Sequence, residues 1–373
     1  MKLPKIIFTI GMLAVFGSGF GAEKNDPKVD SALLHLMETY HVPVVGYAII
    51  DHYQVVAAGT LSIDPKITVS SDSLFQAASI SKSMAAYAAL RLVSRGILNL
   101  DAPVNDKLSS WKIPQNDFQK NHPVTLREIL SMTSGLSVNG FSGYAQEKSL
   151  PNLRQVLKGK SPANNTPIEV TYQPGSKYFY SGGGFQVLQQ VIEDVEKKPF
   201  ADSIKELVLN PLGMQNSHYE FPVSEKWRSK IVPAFLSDGA EIKGGWDNYA
   251  ASAAAGLWST PEDLAKFAID VSHSFVTNRV GLLGKNDAYQ MLTRQANSYF
   301  GLGVVVDGTG KNLSFRKAGH NTGYYSELLM FPGAGQGIVI MTDSENGEAI
   351  IHTLIPFVAR EYNWATCTPS FDE

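Results

Sequence analysis

Strand-forming segments lie at the two ends of this chain, separated by a long stretch without a strand run. Near the N-terminus, residues 44–50 and 55–60 are rich in β-branched and apolar side chains and flank a polar turn at Asp51. That pattern predicts an antiparallel hairpin. Near the C-terminus, residues 301–306, 313–318, 327–331 and 337–342 read as strands between Gly-rich turns. From about 100 to 240, helical patterns mix with turn residues. Strands so far apart in sequence leave few ways to bury them together. The simplest is an α+β architecture: one antiparallel sheet from both chain ends, flanked by helices, with a mainly helical inserted lobe. The expected division is residues 22–99 plus 241–373 for the sheet domain and 100–240 for the helical one. Helices are predicted at 27–40, at 79–95, at 260–271 with Thr260 as N-cap, and at 349–362 with a kink at Pro356.

Composition narrows the function. The 373 residues are 44% hydrophobic and carry a formal charge of −3, which excludes a disordered chain and gives no basic footprint for nucleic acid. The single cysteine, Cys367, excludes an intramolecular disulfide and any Cys-based metal site. The eight histidines are dispersed, with no H-E-x-x-H, no phosphate loop, no G-x-G-x-x-G after a strand and no G-x-S-x-G. No metal and no cofactor are expected. Residues 1–21 read as a secretory signal: Lys2 and Lys5 precede an apolar run at 6–16, and Gly19 and Gly21 supply small residues for cleavage. That run is too short to cross about 30 Å of hydrocarbon. The expectation is a secreted or periplasmic protein without stable membrane insertion.

Three segments carry chemistry. The first is Ser79-Ile80-Ser81-Lys82 at the head of an Ala/Leu-rich helix. Residues i and i+3 of a helix share a face, which places the amine within reach of the hydroxyl. The N–H groups of the helix start can stabilise negative charge, and burial favours a neutral amine. Two further S-x-x-K matches, at Ser109 and Ser314, lack that context. The second segment, Tyr178-Phe179-Tyr180-Ser181-Gly182-Gly183-Gly184, sets a tyrosine before three glycines and an apolar helix. A nearby lysine would let such a tyrosine shuttle protons. The third, Lys317-Ala318-Gly319-His320-Asn321-Thr322-Gly323, runs out of a strand into a turn. There His320 can exchange protons and the Gly323 N–H can complete an oxyanion hole. Each segment also has a plain interpretation: a helix N-cap, a packing aromatic, and a surface turn with an incidental histidine.

In this order the segments resemble the serine β-lactamase and penicillin-binding superfamily. The resemblance is nearest to class C β-lactamases, D-alanyl-D-alanine carboxypeptidases and related esterases. Weaker stretches support it, among them Leu98-Asn99-Leu100-Asp101, Thr133-Ser134-Gly135-Leu136 and Pro211-Leu212-Gly213-Met214. The resemblance implies that Ser79 is acylated, that Lys82 and Tyr180 exchange protons, and that the Ser79 and Gly323 N–H groups hold the oxyanion. His320 would stand where the family has Lys or His. Two departures stand out: the family's Tyr-x-Asn reads Tyr180-Ser181-Gly182, and its Lys-Thr-Gly reads His320-Asn321-Thr322. Both favour an esterase or D-Ala-type peptidase over an efficient β-lactamase, acting on a small-molecule or peptide substrate. A non-catalytic binding protein of the same fold, a true β-lactamase, and a Ser/His hydrolase using His320 are the competing expectations.

Overall fold

The computed structural model describes residues 25–276 and 281–364. Residues 1–21, expected to be a signal, and Cys367 lie outside the described residues. Helix α1, Pro27–Tyr40, starts where Asp26 accepts the N–H groups of Lys28 and Val29, and it ends at His41 in the left-handed conformation. The predicted hairpin follows as β1, Val44–Asp51, and β2, Gln54–Ser62. Its turn residues, His52 and Tyr53, have φ of 50° and 60°, the backbone twist a tight hairpin needs.

The remaining strands of this sheet come from the other end of the chain. They are β5 (Val305–Asp307), β6 (Ser314–Asn321), β7 (Tyr324–Phe331) and β8 (Gln336–Thr342). The sheet has the order β2-β1-β8-β7-β6-β5, so β1 pairs with β8 and joins the two chain ends. A small second ladder pairs β3, Phe75–Gln76, with β4, Trp258–Ser259. The segment 100–240 adds no strand to either ladder among the described residues.

One correction concerns length. β6 was expected to end at Ala318 but continues to Asn321, and β7 begins three residues earlier than expected. Gly319, His320 and Asn321 have poor strand propensity, but pairing with Ser326, Tyr325 and Tyr324 overrides it. The first predicted C-terminal strand, 301–306, shrinks to the short β5.

Each face of the sheet is covered. On one face, α1 and the C-terminal helix Gly347–Glu361 enclose Leu33, Met37, Ile340, Leu354 and Ile355. On the other lies the larger core, including α2 (Ser81–Ser94) and the helices Gly182–Glu196 and Pro261–Val276. Eleven of the fourteen residues of α2 are buried, so this helix is a central post of the molecule. Leu354 is fully buried on the face away from α2. Leu354→Ala is expected to lower unfolding stability by about 2–5 kcal/mol, read from urea titration.

Candidate active site

The site is built where the start of α2 meets the inner face of β6. Phe75-Gln76 leads into a tight 3-10 turn, Ala78–Ile80, that runs into α2. Ala78 has φ of +46°, a strained conformation for a residue with a Cβ. The surroundings hold it. Ala77 N–H donates to Leu257 O at 2.9 Å, and Ser326 Oγ donates to Ala77 O at 3.1 Å. Ser81, the middle serine of the motif, donates to Ala78 O at 2.5 Å and accepts the Leu257 N–H at 2.9 Å. The bend presents Ser79 to a groove of about 960 Å³.

Lys82 and Tyr180 both meet the Ser79 hydroxyl. Lys82 Nζ donates to Ser79 Oγ at 3.0 Å and to Ala254 O at 2.8 Å. Tyr180 Oη donates to the same Oγ at 3.0 Å. The structure therefore brings together Ser79, Lys82 and Tyr180. Ser109 and Ser314 play other parts. Ser109 N–H binds Asp194 at 2.7 Å, and Ser314 lies on β6 where β5 pairs with it.

A second lysine, Lys317, completes the cluster and was missed in the sequence. Along β6, Lys317, Gly319 and Asn321 are buried while Ala318 and His320 are exposed, as strand alternation requires. Lys317 Nζ lies 5.4 Å from the centre of the Tyr180 ring, and Lys82 Nζ lies 5.1 Å from it. Burial pushes the Tyr180 phenol up, but Lys317 and then Lys82 outweigh it and pull it down to about 7. The Lys82 amine is driven below its usual range, first by burial and also by Lys317, against the opposing pull of Tyr180. The detectable signal was Lys317-Ala318-Gly319, which matches Lys-Thr-Gly with Ala for Thr.

The other expected site residues need correction. His320 still borders the groove, but its ring lies on the face opposite Lys317. It stacks on Tyr325 at 4.1 Å and meets Glu345 at 3.0 Å. Gly323 sits in the β6–β7 turn and gives its N–H to Glu345 Oε1 at 2.7 Å, so that donor is already engaged. Asn321 is buried and donates to Gln76 Oε1 at 2.6 Å and to Ala255 O, a tie between β6 and the neighbouring segments. Gly182 opens its helix and binds Asn139 O through its N–H at 2.9 Å. A Cβ on Gly182 would lie 2.9 Å from that oxygen, and one on Gly183 only 2.2 Å from Ser137 O. The glycines thus admit the 137–141 loop, and Asn139 brings a carboxamide to the groove. No sequence pattern pointed to Asn139.

Gly319 takes the position beside the nucleophile. A Cβ there would lie 2.3 Å from Ala77 O and 3.1 Å from Ser79 N, so only glycine lets β6 approach this closely. In an antiparallel ladder, residues alternate between bonding one neighbour and the other. The two-residue Thr322-Gly323 turn makes Asn321 and Tyr324 a bonded pair, so Gly319 and Lys317 bond toward β7. The N–H groups of Ala318 and His320 then face the open edge, because β5 covers only Ser314–Arg316. Facing the strand across the groove are Tyr178, Tyr299 and Phe300, with the two tyrosine hydroxyls 2.7 Å apart. Among the described residues, no group of three His, Cys, Asp or Glu side chains is placed to hold a metal. No described helix is long and apolar enough to cross a membrane.

Replacing Lys317 with Met is expected to move the Tyr180 phenol upward from about 7. A tyrosinate absorbance titration checks this, with Tyr180→Phe identifying the signal; an unmoved titration contradicts the assignment of Lys317 as the dominant cation.

Comparison with known proteins agrees with this geometry. The family profile described as Beta-lactamase matches residues 29–358. "Protein flp" of Staphylococcus aureus (strain MW2) is 24% identical over 196 residues, which are 52% of this chain and 38% of that protein. "Esterase EstB" of Burkholderia gladioli is 30% identical over 182 residues, 46% of each chain. The matches therefore span less than half the length of these curated relatives. Among solved structures, the D-amino acid amidase of Ochrobactrum anthropi SV3 shares the fold with a TM-score of 0.71 at 18% identity, over 90% of this chain and 99% of that one. With the profile spanning nearly all the described residues, the chain belongs to the beta-lactamase family of the serine hydrolase superfamily.

Proposed function

We propose that this protein hydrolyses an ester or a small amide through an acyl-Ser79 intermediate, with esters the better substrates. The observation that carries this is the paired contact on Ser79 Oγ, 3.0 Å from both Lys82 Nζ and Tyr180 Oη. A phenol near pKa 7 is ionised in a substantial fraction at neutral pH. As phenolate, Tyr180 accepts the Ser79 proton while Oγ forms a bond to the substrate carbonyl carbon. Lys82 and Lys317 balance the phenolate charge before the transfer. The oxyanion forms between the N–H groups of Ser79 and His320. Tyr180 then returns the proton to the departing alkoxide or amine as the carbonyl re-forms. In the second half, Tyr180 takes a proton from water, which attacks the acyl carbon, and Ser79 leaves with the proton.

The preference for esters rests on two losses. Gly182 and Ala318 stand where the family's patterns have Asn and Thr, so two polar groups that would orient an amide-bearing substrate are absent. The wall of Tyr178, Tyr299 and Phe300 suits an apolar or aromatic group on the substrate. EstB, named an esterase, supports this choice, and the amidase named above keeps amides in view. We also propose export to the periplasm or medium, on the strength of residues 1–21.

Wild-type protein is expected to form a fluorophosphonate adduct that intact mass resolves and that Ser79→Ala lacks. Its turnover of p-nitrophenyl esters is expected to exceed that of nitrocefin and of D-Ala-D-Ala peptides, and Ser79→Ala should lose at least about 10³-fold. No adduct with either fluorophosphonate or a fluorescent penicillin would put a non-catalytic binding protein ahead; nitrocefin turnover above ester turnover would favour a β-lactamase. The rate should rise as pH passes through about 7, because the base must be ionised. In Lys317→Met that limb should move to higher pH.

A further inference from the structure

We propose that Glu345 is a positioning residue for the oxyanion hole, clamping the β6–β7 hairpin so that the His320 N–H stays aimed at the groove. This rests on the hydrolase reading of Ser79. From Lys317 to Asn321, β6 has a partner on one side only, since β5 pairs no further than Arg316. Unpaired edges are where a ladder opens most easily, yet the proposed oxyanion donor lies on this edge.

Glu345 makes up for the missing strand with one carboxylate. Its Oε1 accepts the Gly323 N–H at 2.7 Å, and its Oε2 meets His320 Nε2 at 3.0 Å. One side chain therefore grips both the turn and the donor residue. The His320 ring also stacks on Tyr325, at 4.1 Å between centroids and 14° between planes. Glu345 is itself anchored: its N–H donates to Phe235 O at 3.0 Å, and the Phe235 N–H donates to Asp343 O at 2.8 Å. Tyr249 Oη adds a hold on the turn by accepting the Thr322 N–H at 2.9 Å. His320 thus serves through its main chain, and its ring is the handle by which Glu345 fixes that main chain.

The test compares wild type, Glu345→Ala, Glu345→Gln and His320→Ala in the full chain, with two readouts. The first is backbone amide exchange across 317–325. The second is kcat and KM on a p-nitrophenyl ester. Glu345→Ala should exchange faster in this segment and lose roughly 10- to 100-fold in kcat, the scale of a small misplacement of a reacting group. KM should hold, because the oxyanion contact is made in the transition state. Glu345→Gln keeps an acceptor for Gly323 and a partner for the imidazole, and should recover most of the loss. His320→Ala removes the handle without removing the N–H, so it should loosen the segment in the same way; it also carries the test if Glu345→Ala does not fold. Unchanged exchange, an unchanged kcat, a loss confined to KM, or a Gln variant as impaired as Ala would each overturn the clamp. A wild type inert toward esters and fluorophosphonate defeats the hydrolase reading instead, an outcome distinct from an active enzyme indifferent to Glu345.

Discussion

Two lysines and one phenol share the buried space around Ser79 Oγ, and much of the surrounding structure is needed to keep them there. Lys82 is 3% exposed and Lys317 5% exposed. Burying an ammonium group carries an effective penalty of several kcal/mol unless a counter-charge or strong acceptors stand by. Ala254 O and Ala318 O supply acceptors at 2.8 Å to Lys82 and Lys317. The phenol supplies the counter-charge once it ionises, which is why its pKa falls to about 7 despite burial. Lys317 and Lys82 each hold the Tyr180 phenol down, so removing either lysine raises it. The three groups come from α2, from the segment ahead of the Gly182–Glu196 helix, and from β6, so no local motif can hold this cluster without the joined sheet.

The same junction explains the strain at Ala78. A residue with a Cβ at φ of +46° costs about 1–3 kcal/mol and persists only where the surroundings over-determine it. Here they do, through Leu257, Ser326 and Ser81. The bend brings the backbone of Ser79 against β6, with Ser79 N only 3.1 Å from where a Cβ on Gly319 would lie. Gly319 is the matching concession on the strand, since any side chain there would collide with Ala77 O. Strain on the helix side and a missing Cβ on the strand side are two halves of one close approach.

Much of this was legible in the sequence. The N-terminal hairpin, α1, the buried Ala-rich helix and the strands at both ends follow from periodicity and turn residues. Ser79, Lys82 and Tyr180 follow from the three segments taken with the family resemblance, Tyr180 having a plain packing interpretation on its own, and the structure brings all three together. The failure was one of register. Gly319 and Asn321 look like turn residues, so the strand seemed to end at Ala318 and His320 seemed to enter the site. Pairing with β7 carries the strand onward, and a period of two then puts Lys317 inside and His320 outside. Gly182 was legible as a lost Asn, but not the 137–141 loop that occupies the space. That contact joins residues about forty positions apart, and nothing in local pattern encodes it.

The pattern of what is kept and what is missing bears on the choice between an enzyme and an inert binding protein. The groups that the proposed acyl-serine chemistry calls for stand together: the hydroxyl, two buried lysines, a phenol of lowered pKa and a glycine that lets the strand come alongside. The substitutions fall on polar groups that would orient an amide, at Gly182 and Ala318. A protein that only held a ligand would have no need of this buried cluster, because replacing the whole of a buried ion cluster with packed apolar side chains is often neutral or stabilising. Perturbed, mutually dependent titratable groups in a groove are instead what proton transfer requires. Ester cleavage needs that machinery but depends less on orienting an amide N–H or protonating a poor leaving group. The balance of buried charge against absent recognition groups therefore favours the proposed catalytic reading over an inert binding protein, with the aromatic wall and Asn139 bordering the proposed substrate groove.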